Sequence, residues 1–380
     1  MERIYLDHAA TSPMHPAVID KMTVFMKEVF GNPSSIHFYG RESRRYLDEA
    51  RQTMAASVGA DPNEIIFTSG GTEADNMALT GVAFANREKG NHIITTQIEH
   101  HAVLHTCEAL EKQGFRVTYL PVDETGRISA KQLQEALTDD TILVSIMYGN
   151  NEVGTIQPIG EIGEVLKNHQ AFFHTDAVQA YGLVSINVKQ LGIDLLSVSS
   201  HKINGPKGVG FLYAASSVPL SPLLFGGEQE RKRRAGTENV ASIVGFEEAV
   251  KLAQQTLSEK AAQYKGYKEN MLNIFKEEGI EYSVNGNLED SLPHVLNVAF
   301  PGTNVESMLV NLDLAGIAAS SGSACTAGSI DPSHVLVAMF GKDSERLVSS
   351  IRFSFGLGTT TEQIEKAAHE TARIVKRLVK

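Results

Sequence analysis

From about residue 60 the chain alternates between short apolar runs and stretches with a helical period. Residues 64–68 (EIIFT), 92–95 (HIIT), 117–120 (VTYL), 141–147 (TILVSIM), 171–174 (AFFH) and 194–198 (DLLSV) read as short buried strands. Residues 73–88 and 103–113 carry the intervening helical period. Strand–helix alternation of this kind predicts a mostly parallel sheet covered on both faces. Residues 208–213 (GVGFLY) return as a further strand. Beyond about residue 240 the pattern changes. A long helical stretch over 241–279 is followed by strand-like segments at 294–299 (HVLNVA) and 349–355 (SSIRFSF), then a closing helix over 361–380. That half predicts a smaller α+β unit, with the boundary inside the long helix.

Composition narrows the classes. The 380 residues are 42% hydrophobic and 21% charged, enough for a sizeable core and against wholesale disorder. With two cysteines, Cys107 and Cys325, neither a disulfide framework nor a four-thiolate metal site can come from one chain. A net charge of −11 argues against general nucleic-acid or membrane-surface binding. The N-terminal MERIYLDHAATSPMHP lacks the features of a secretory signal, and no apolar run approaches the roughly 20 residues that span a bilayer. A cytoplasmic chain with free thiols is expected.

Candidate chemistry gathers at the ends of the apolar runs. Lys202, in Ser199-Ser200-His201-Lys202, directly follows residues 194–198 and so falls at the open end of the sheet, where ligands bind. A lysine there can have its pKa lowered until the amine attacks a carbonyl to give a Schiff base; a solvated loop lysine is the plain alternative. Asp176 follows another run and suits the protonated ring nitrogen of a pyridine cofactor, with Gln179 within reach of the ring hydroxyl. It could equally cap a following helix. Thr68-Ser69-Gly70-Gly71-Thr72-Glu73 joins a strand to a helix and offers free N–H groups to a phosphate. Neither GxGxxG nor GxxxxGK[ST] is present, which weakens a nucleotide-binding reading. His100 suits ring stacking or proton transfer. His101 and His105 share a helix face but lack an evident third metal ligand. Cys325 stands among small residues (ASSGSACTAGS), as a nucleophile on a loop would, whereas Cys107 has the helical spacing of a core residue. Arg352, a cation on an apolar strand, suits bidentate capture of a carboxylate or a plain strand surface. The run Arg231-Lys232-Arg233-Arg234 reads as a solvated or phosphate-neighbouring loop.

Taken in order, these motifs resemble the NifS/IscS-type cysteine desulfurases of group I, in the class V aminotransferase family. The resemblance runs the length of the chain through Tyr5-Leu6-Asp7-His8-Ala9-Ala10-Thr11, Gly31-Asn32-Pro33-Ser34-Ser35, the Thr68 to Glu73 segment, Glu99-His100, Asn150-Asn151-Glu152-Val153-Gly154, the Thr175 to Gln179 segment, Ser199-Ser200-His201-Lys202, Arg234-Ala235-Gly236-Thr237-Glu238-Asn239 and Ser321-Gly322-Ser323-Ala324-Cys325-Thr326. It implies the type I fold of pyridoxal 5'-phosphate (PLP) enzymes. A large PLP-binding domain would span residues 15–255. A small α+β domain of residues 1–14 and 256–380 would carry the cysteine loop.

The resemblance also implies roles. Lys202 would bind PLP as a Schiff base, Asp176 would hold the pyridine nitrogen and Gln179 the ring hydroxyl. His100 would stack on the ring and move protons. Gly71, Thr72, Ser199 and His201 would hold the phosphate, with Thr237 supplied by the other subunit of a homodimer. Asn151 and Arg352 would hold the substrate, Arg352 at its carboxylate, with Asn32 a further contact. L-cysteine would become L-alanine, its sulfur passing to Cys325 as a persulfide and then to an acceptor protein for tRNA thiolation or iron–sulfur assembly. No resident metal, direct nucleic-acid contact or membrane contact is implied, although Cys325 could touch an iron–sulfur cluster during transfer. The sequence stops soon after its last helix, short of the tail that IscS-type members use for scaffold docking, so a tRNA-thiolating enzyme is an equally good recipient. An aminotransferase or selenocysteine lyase of the same fold is the nearest rival, and a sulfur carrier without catalysis a more distant one.

Overall fold

The computed structural model describes residues 3–321 and 332–379. Strand β1 (Ile4–Tyr5) precedes helices α1 (Pro16–Glu28) and α2 (Phe38–Val58), after which the expected alternation begins. Strands β2 (Ile65–Thr68), β3 (His92–Thr96), β4 (Arg116–Leu120), β5 (Thr141–Ser145), β6 (Phe172–Asp176), β7 (Leu195–Ser199) and β8 (Gly210–Ala214) form one sheet of seven strands. Helices α3 (Gly71–Ala85), α4 (His101–Glu111), α5 (Ala130–Ala136) and α6 (Ile159–Leu166) lie between them in the chain. The strand order is β2-β8-β7-β6-β5-β3-β4. β8 runs antiparallel to both neighbours, and the four remaining pairings are parallel.

Strand side chains alternate between two cores, as a sheet covered on both faces requires. On β2, Ile65 and Phe67 join one core while Ile66 joins the other; on β5, Leu143 and Val144 divide between the two cores in the same way. The run at 141–147 ends as a strand at Ser145, two residues earlier than its apolar content suggests. There the N–H of Met147 turns to the buried carboxylate of Glu99 at 3.0 Å.

Beyond β8 the 38-residue helix α7 (Val240–Glu277) serves two cores. Its first part buries Ile243, Phe246 and Val250 against the large sheet, and its second part buries Tyr264, Met271 and Phe275 in a separate cluster. That cluster is built on β9 (Ser283–Asn285), β10 (Val295–Ala299), α8 (Val305–Leu314), β11 (Ile317–Ala318), β12 (Ser350–Ser354) and α11 (Thr361–Leu378) or the segments between them. Helix α9 (His334–Phe340) packs instead in a smaller core with Ile98, Met147 and Val153, against which Leu347 of α10 (Arg346–Ser349) also rests. β12, β10 and β9 form an antiparallel sheet, and β1 pairs with β11 in parallel. The N-terminus is thereby tied to the last third of the chain. Among the described residues, no helix is long and apolar enough to cross a membrane.

One ion pair fixes the loop that carries the 231–234 basic run. Arg51 on α2 grips Glu230 through two contacts of 2.7 Å, with the side chains 4% and 2% exposed. Glu230 also accepts the Phe67 N–H at 3.2 Å. Removing one partner of such a pair strands the other charge. Arg51→Ala is therefore expected to cost about 3–5 kcal/mol of stability, read from the denaturant midpoint at unchanged slope. A loss below about 1 kcal/mol, the range of an exposed pair, would refute that role.

Candidate active site

Parallel strands deliver their carboxyl ends to one edge of a sheet. Asp176 closes β6 and Ser199 closes β7 at that edge. A short 3₁₀ turn over Ser200–Ile203 then presents His201 and Lys202. β2 ends beside them and leads through Gly70 into α3. Gly70 has φ +148°, and a Cβ on Gly210 would lie 2.8 Å from the Gly70 Cα, so strand and loop pack backbone to backbone. A Cβ on Gly71 would lie 2.7 Å from the Val178 side chain, keeping the start of α3 close to the turn after β6. No side chain caps α3. Its first N–H groups are thus offered at the sheet edge.

These elements enclose a cavity of about 390 Å³ lined by Gly71, Thr72, His100, Asn151, Asp176, Gln179, Ser199, His201, Lys202 and Arg352, all anticipated from sequence. Two anticipated residues lie elsewhere. Asn32 is exposed in the loop before α2, its side-chain oxygen accepting the Ser34 N–H at 2.9 Å. Thr237 is exposed in the loop before α7. Cys325 lies outside the described residues. The segments on either side of it approach the cavity: Ser320 and His334 both line the wall.

The Lys202 amine donates to the backbone oxygens of Ala9 and, at 2.8 Å, Ala10. Burial lowers its pKa to about 8, the Arg352 charge adding to the effect and the Asp176 and Asp7 charges opposing it. Asp176 accepts the Val178 N–H at 2.9 Å, an arrangement like a cap, but a turn rather than a helix follows. Its pKa is raised by burial and pulled back by His100, the Val178 N–H and Lys202. The His100 Nδ1 accepts the Ala102 N–H at 3.1 Å, so in the neutral ring the proton sits on Nε2. His201 bonds Thr11 through Nδ1 at 3.1 Å, and burial, then the charges of Lys202 and Lys207, lower its pKa to about 4. It is therefore a neutral group near pH 7. Arg352 reaches Asp7 at 2.8 Å and the Asn151 carbonyl at 2.9 Å, while its Nε has no hydrogen-bond partner among the described residues.

Several contributors escaped the motif reading. Asp75 is 1% exposed, lines the cavity and leaves one carboxyl oxygen unpartnered among the described residues. One atom each from Asp75, His100 and Asp176 lie within 4.8 Å of one another. Burial and then the Asp176 charge push the Asp75 pKa well up, whereas the rise at Asp176 is pulled back by His100 and Lys202, so Asp176 is the stronger acid of the two. The signal for Asp75 was helical phase, since it follows Gly71 by one turn on the same face. The carbonyls of Ala9 and Ala10 carried no residue-type signal. His101 also faces the cavity, its ring 4.9 Å from His105 and 4.7 Å from His334 between centroids. In the basic run, Arg234 is paired with Glu73 of α3 at 2.8 Å.

An amine and a buried carboxyl group at the carboxyl edge of a seven-stranded, mostly parallel sheet, beside an uncapped helix start, define an α/β enzyme of the aminotransferase type. The class-V aminotransferase family matches residues 4–367, and the chain belongs to that family. An IscS protein of Bacillus subtilis (strain 168) is 65% identical over 378 residues, covering 100% of both chains. The cysteine desulfurase IscS of Methanosarcina thermophila is 50% identical over 379 residues, covering 99% of this chain and 92% of its own. A solved NifS-like protein superposes with a TM-score of 0.92 at 37% identity, covering 99% of this chain and 100% of its own. The fold class and the family expected from sequence are borne out.

Proposed function

We propose that the chain is a PLP-dependent cysteine desulfurase that turns L-cysteine into L-alanine and keeps the sulfur as a persulfide on Cys325. One observation carries the reading: the Lys202 amine, with its pKa lowered to about 8, shares a cavity with a buried, hydrogen-bonded Asp176 carboxylate. Kinship with chains named cysteine desulfurase selects the substrate.

The donor set fits the cofactor. The uncapped start of α3 at Gly71 and Thr72, with Ser199 and His201, would take the phosphate; Asp176 would hold the pyridine nitrogen, Gln179 the ring oxygen and Lys202 the aldehyde carbon. When bound, PLP supplies an electron sink for the charge released at the substrate Cα. His100 faces the same space with an N–H donor at Nε2 and moves protons there. Arg352, braced by Asp7, presents its guanidinium to the substrate carboxylate, and Asn151 lies beside it, whereas Asn32 lies outside this cavity and has no part in the substrate contacts of this reading. Cysteine and the Cys325 thiol together give alanine and a persulfide, with no outside oxidant or reductant.

Two further parts belong to the proposal. A homodimer would bring Thr237 to the neighbouring phosphate site. It is supported by exposed apolar groups on α1, α2 and the loop between them, Phe30 at 74%, Ile36 at 91% and Phe38 at 61%. The division into residues 15–255 and the remainder is supported by the two cores that α7 serves. The persulfide would pass to a tRNA-thiolating enzyme or an iron–sulfur scaffold, in the cytoplasm. The test supplies purified protein with PLP, L-cysteine and a thiol acceptor. Alanine and sulfane sulfur are expected in a one-to-one ratio, and pyruvate in place of alanine would overturn the reading.

A further inference from the structure

Gln179 stands over the cavity on the turn after β6, and its amide is gripped from both ends. Its Nε2 donates to the Ala9 carbonyl at 2.9 Å. A carbonyl can only accept, so this contact fixes which end of the amide is nitrogen. Its Oε1 lies 3.1 Å from Nε2 of His294, the residue just before β10. Oε1 can only accept as well, so the His294 proton must sit on Nε2. The ring is held in place by its backbone, whose oxygen takes the Phe355 N–H at 2.9 Å. Both residues are buried, at 5% and 7% exposure, and the His294 Nδ1 has no hydrogen-bond partner among the described residues. One N–H of the Gln179 amide is thereby left for the cavity.

We infer that His294 fixes Gln179 as a hydrogen-bond donor to the bound cofactor's ring oxygen, which makes His294 a positioning residue. The inference rests on the PLP reading of the cavity. Without His294 the amide oxygen loses its partner and only the Ala9 contact resists a turn that would present an acceptor where the ring oxygen already accepts. Two like dipoles would then face each other. Burial, with the charges of Lys268, Lys202, His8 and Arg352, keeps the histidine neutral, so it acts by the direction of its single N–H and not by titrating. Lys268 in turn bonds Ser291 at 2.9 Å and the Leu292 carbonyl at 2.6 Å, holding the segment that leads to His294.

A hydrogen bond donated to the ring oxygen competes with the proton of the lysine–cofactor linkage for that oxygen. Losing it lets the linkage keep its proton to higher pH. The experiment titrates the visible absorbance of PLP-loaded wild type, His294→Leu and His294→Gln. The midpoint of His294→Leu is expected to rise by about one pH unit, a tenfold change in proton affinity. The glutamine variant, whose amide N–H can replace the ring N–H, is expected to return within about 0.3 unit of wild type. A folded His294→Leu that titrates at the wild-type midpoint overturns the inference. Should the leucine variant fail to fold, His294→Phe, which also lacks the N–H, is titrated in its place: a folded protein at the wild-type midpoint overturns the inference, and a rise of about one unit upholds it. Wild type that takes up no PLP would instead overturn the reading of the cavity, a result kept separate by the absence of any band to titrate.

Discussion

Lys202→Ala is expected to abolish covalent attachment of PLP and to lower alanine formation from cysteine by about 10²–10⁴-fold, the range for loss of a positioned proton-transfer group, with the lost nucleophile on top. An ordinary lysine near 10.5 would hold less than about a thousandth of its amine unprotonated at pH 7. With its pKa lowered to about 8, roughly a tenth of the Lys202 amine is free to attack. Burial does most of this, and the Arg352 guanidinium contributes by disfavouring a second cation nearby. The two carbonyls that receive the amine, Ala9 and Ala10, hold it at the sheet edge whether or not it carries the proton. The check is borohydride reduction followed by mass analysis of the tryptic peptide. Wild type should gain the reduced cofactor on the peptide containing Lys202, and the variant on none. A variant still labelled, or one still making alanine at more than about a tenth of the wild-type rate, would remove Lys202 from its role.

Much of the site was legible because strand ends can be read directly. Residues 194–198 and 171–174 are short apolar runs, and the polar groups just beyond them, Ser199 to Lys202 and Asp176, come out at the sheet edge. The same reasoning failed where partners come from far along the chain. Met147 reads as strand by composition, yet Glu99, 48 residues away, takes its N–H and ends the strand. Asp75 and Glu73 look alike on a helix with polar positions. One pairs with Arg234 near the surface and the other is buried beside Asp176, and helical phase separates them only once the sheet is in place. The grip of the N-terminal segment on Lys202 and Gln179 is made by backbone oxygens, which every residue possesses. Cys107 was legible: it is fully buried in the α3–α4 core, and burial raises its thiol pKa far beyond the range where thiolate forms.

Cys325→Ser is expected to keep the PLP absorbance band and to lose the persulfide altogether, with alanine release falling to below about a hundredth of wild type. A serine hydroxyl is far less acidic than a thiol and forms no stable bond of this kind with sulfur. The reach required of Cys325 is modest. Ser320 lines the cavity and is bridged to Arg352, with the Arg352 N–H reaching the Ser320 carbonyl at 2.6 Å and the Ser320 N–H returning to the Arg352 carbonyl at 3.1 Å. Five residues of chain span at most about 17 Å, a tether long enough that chain length sets no bar between Cys325 and the cavity wall at Ser320. The other side of the segment is tethered as well: Ser333 caps α9 and bonds the buried Glu152, and His334 faces the cavity. In the proposed function, substrate carboxylate recognition and the tether of the nucleophile would share one strand position, Arg352. The measurement treats both proteins with ³⁵S-cysteine and separates them under non-reducing conditions. Label released by dithiothreitol should remain with wild type and be absent from the variant, because the buried Cys107 cannot substitute. Dithiothreitol-releasable label on Cys325→Ser would place the sulfur elsewhere, and undiminished alanine release by that variant would remove Cys325 from the reaction.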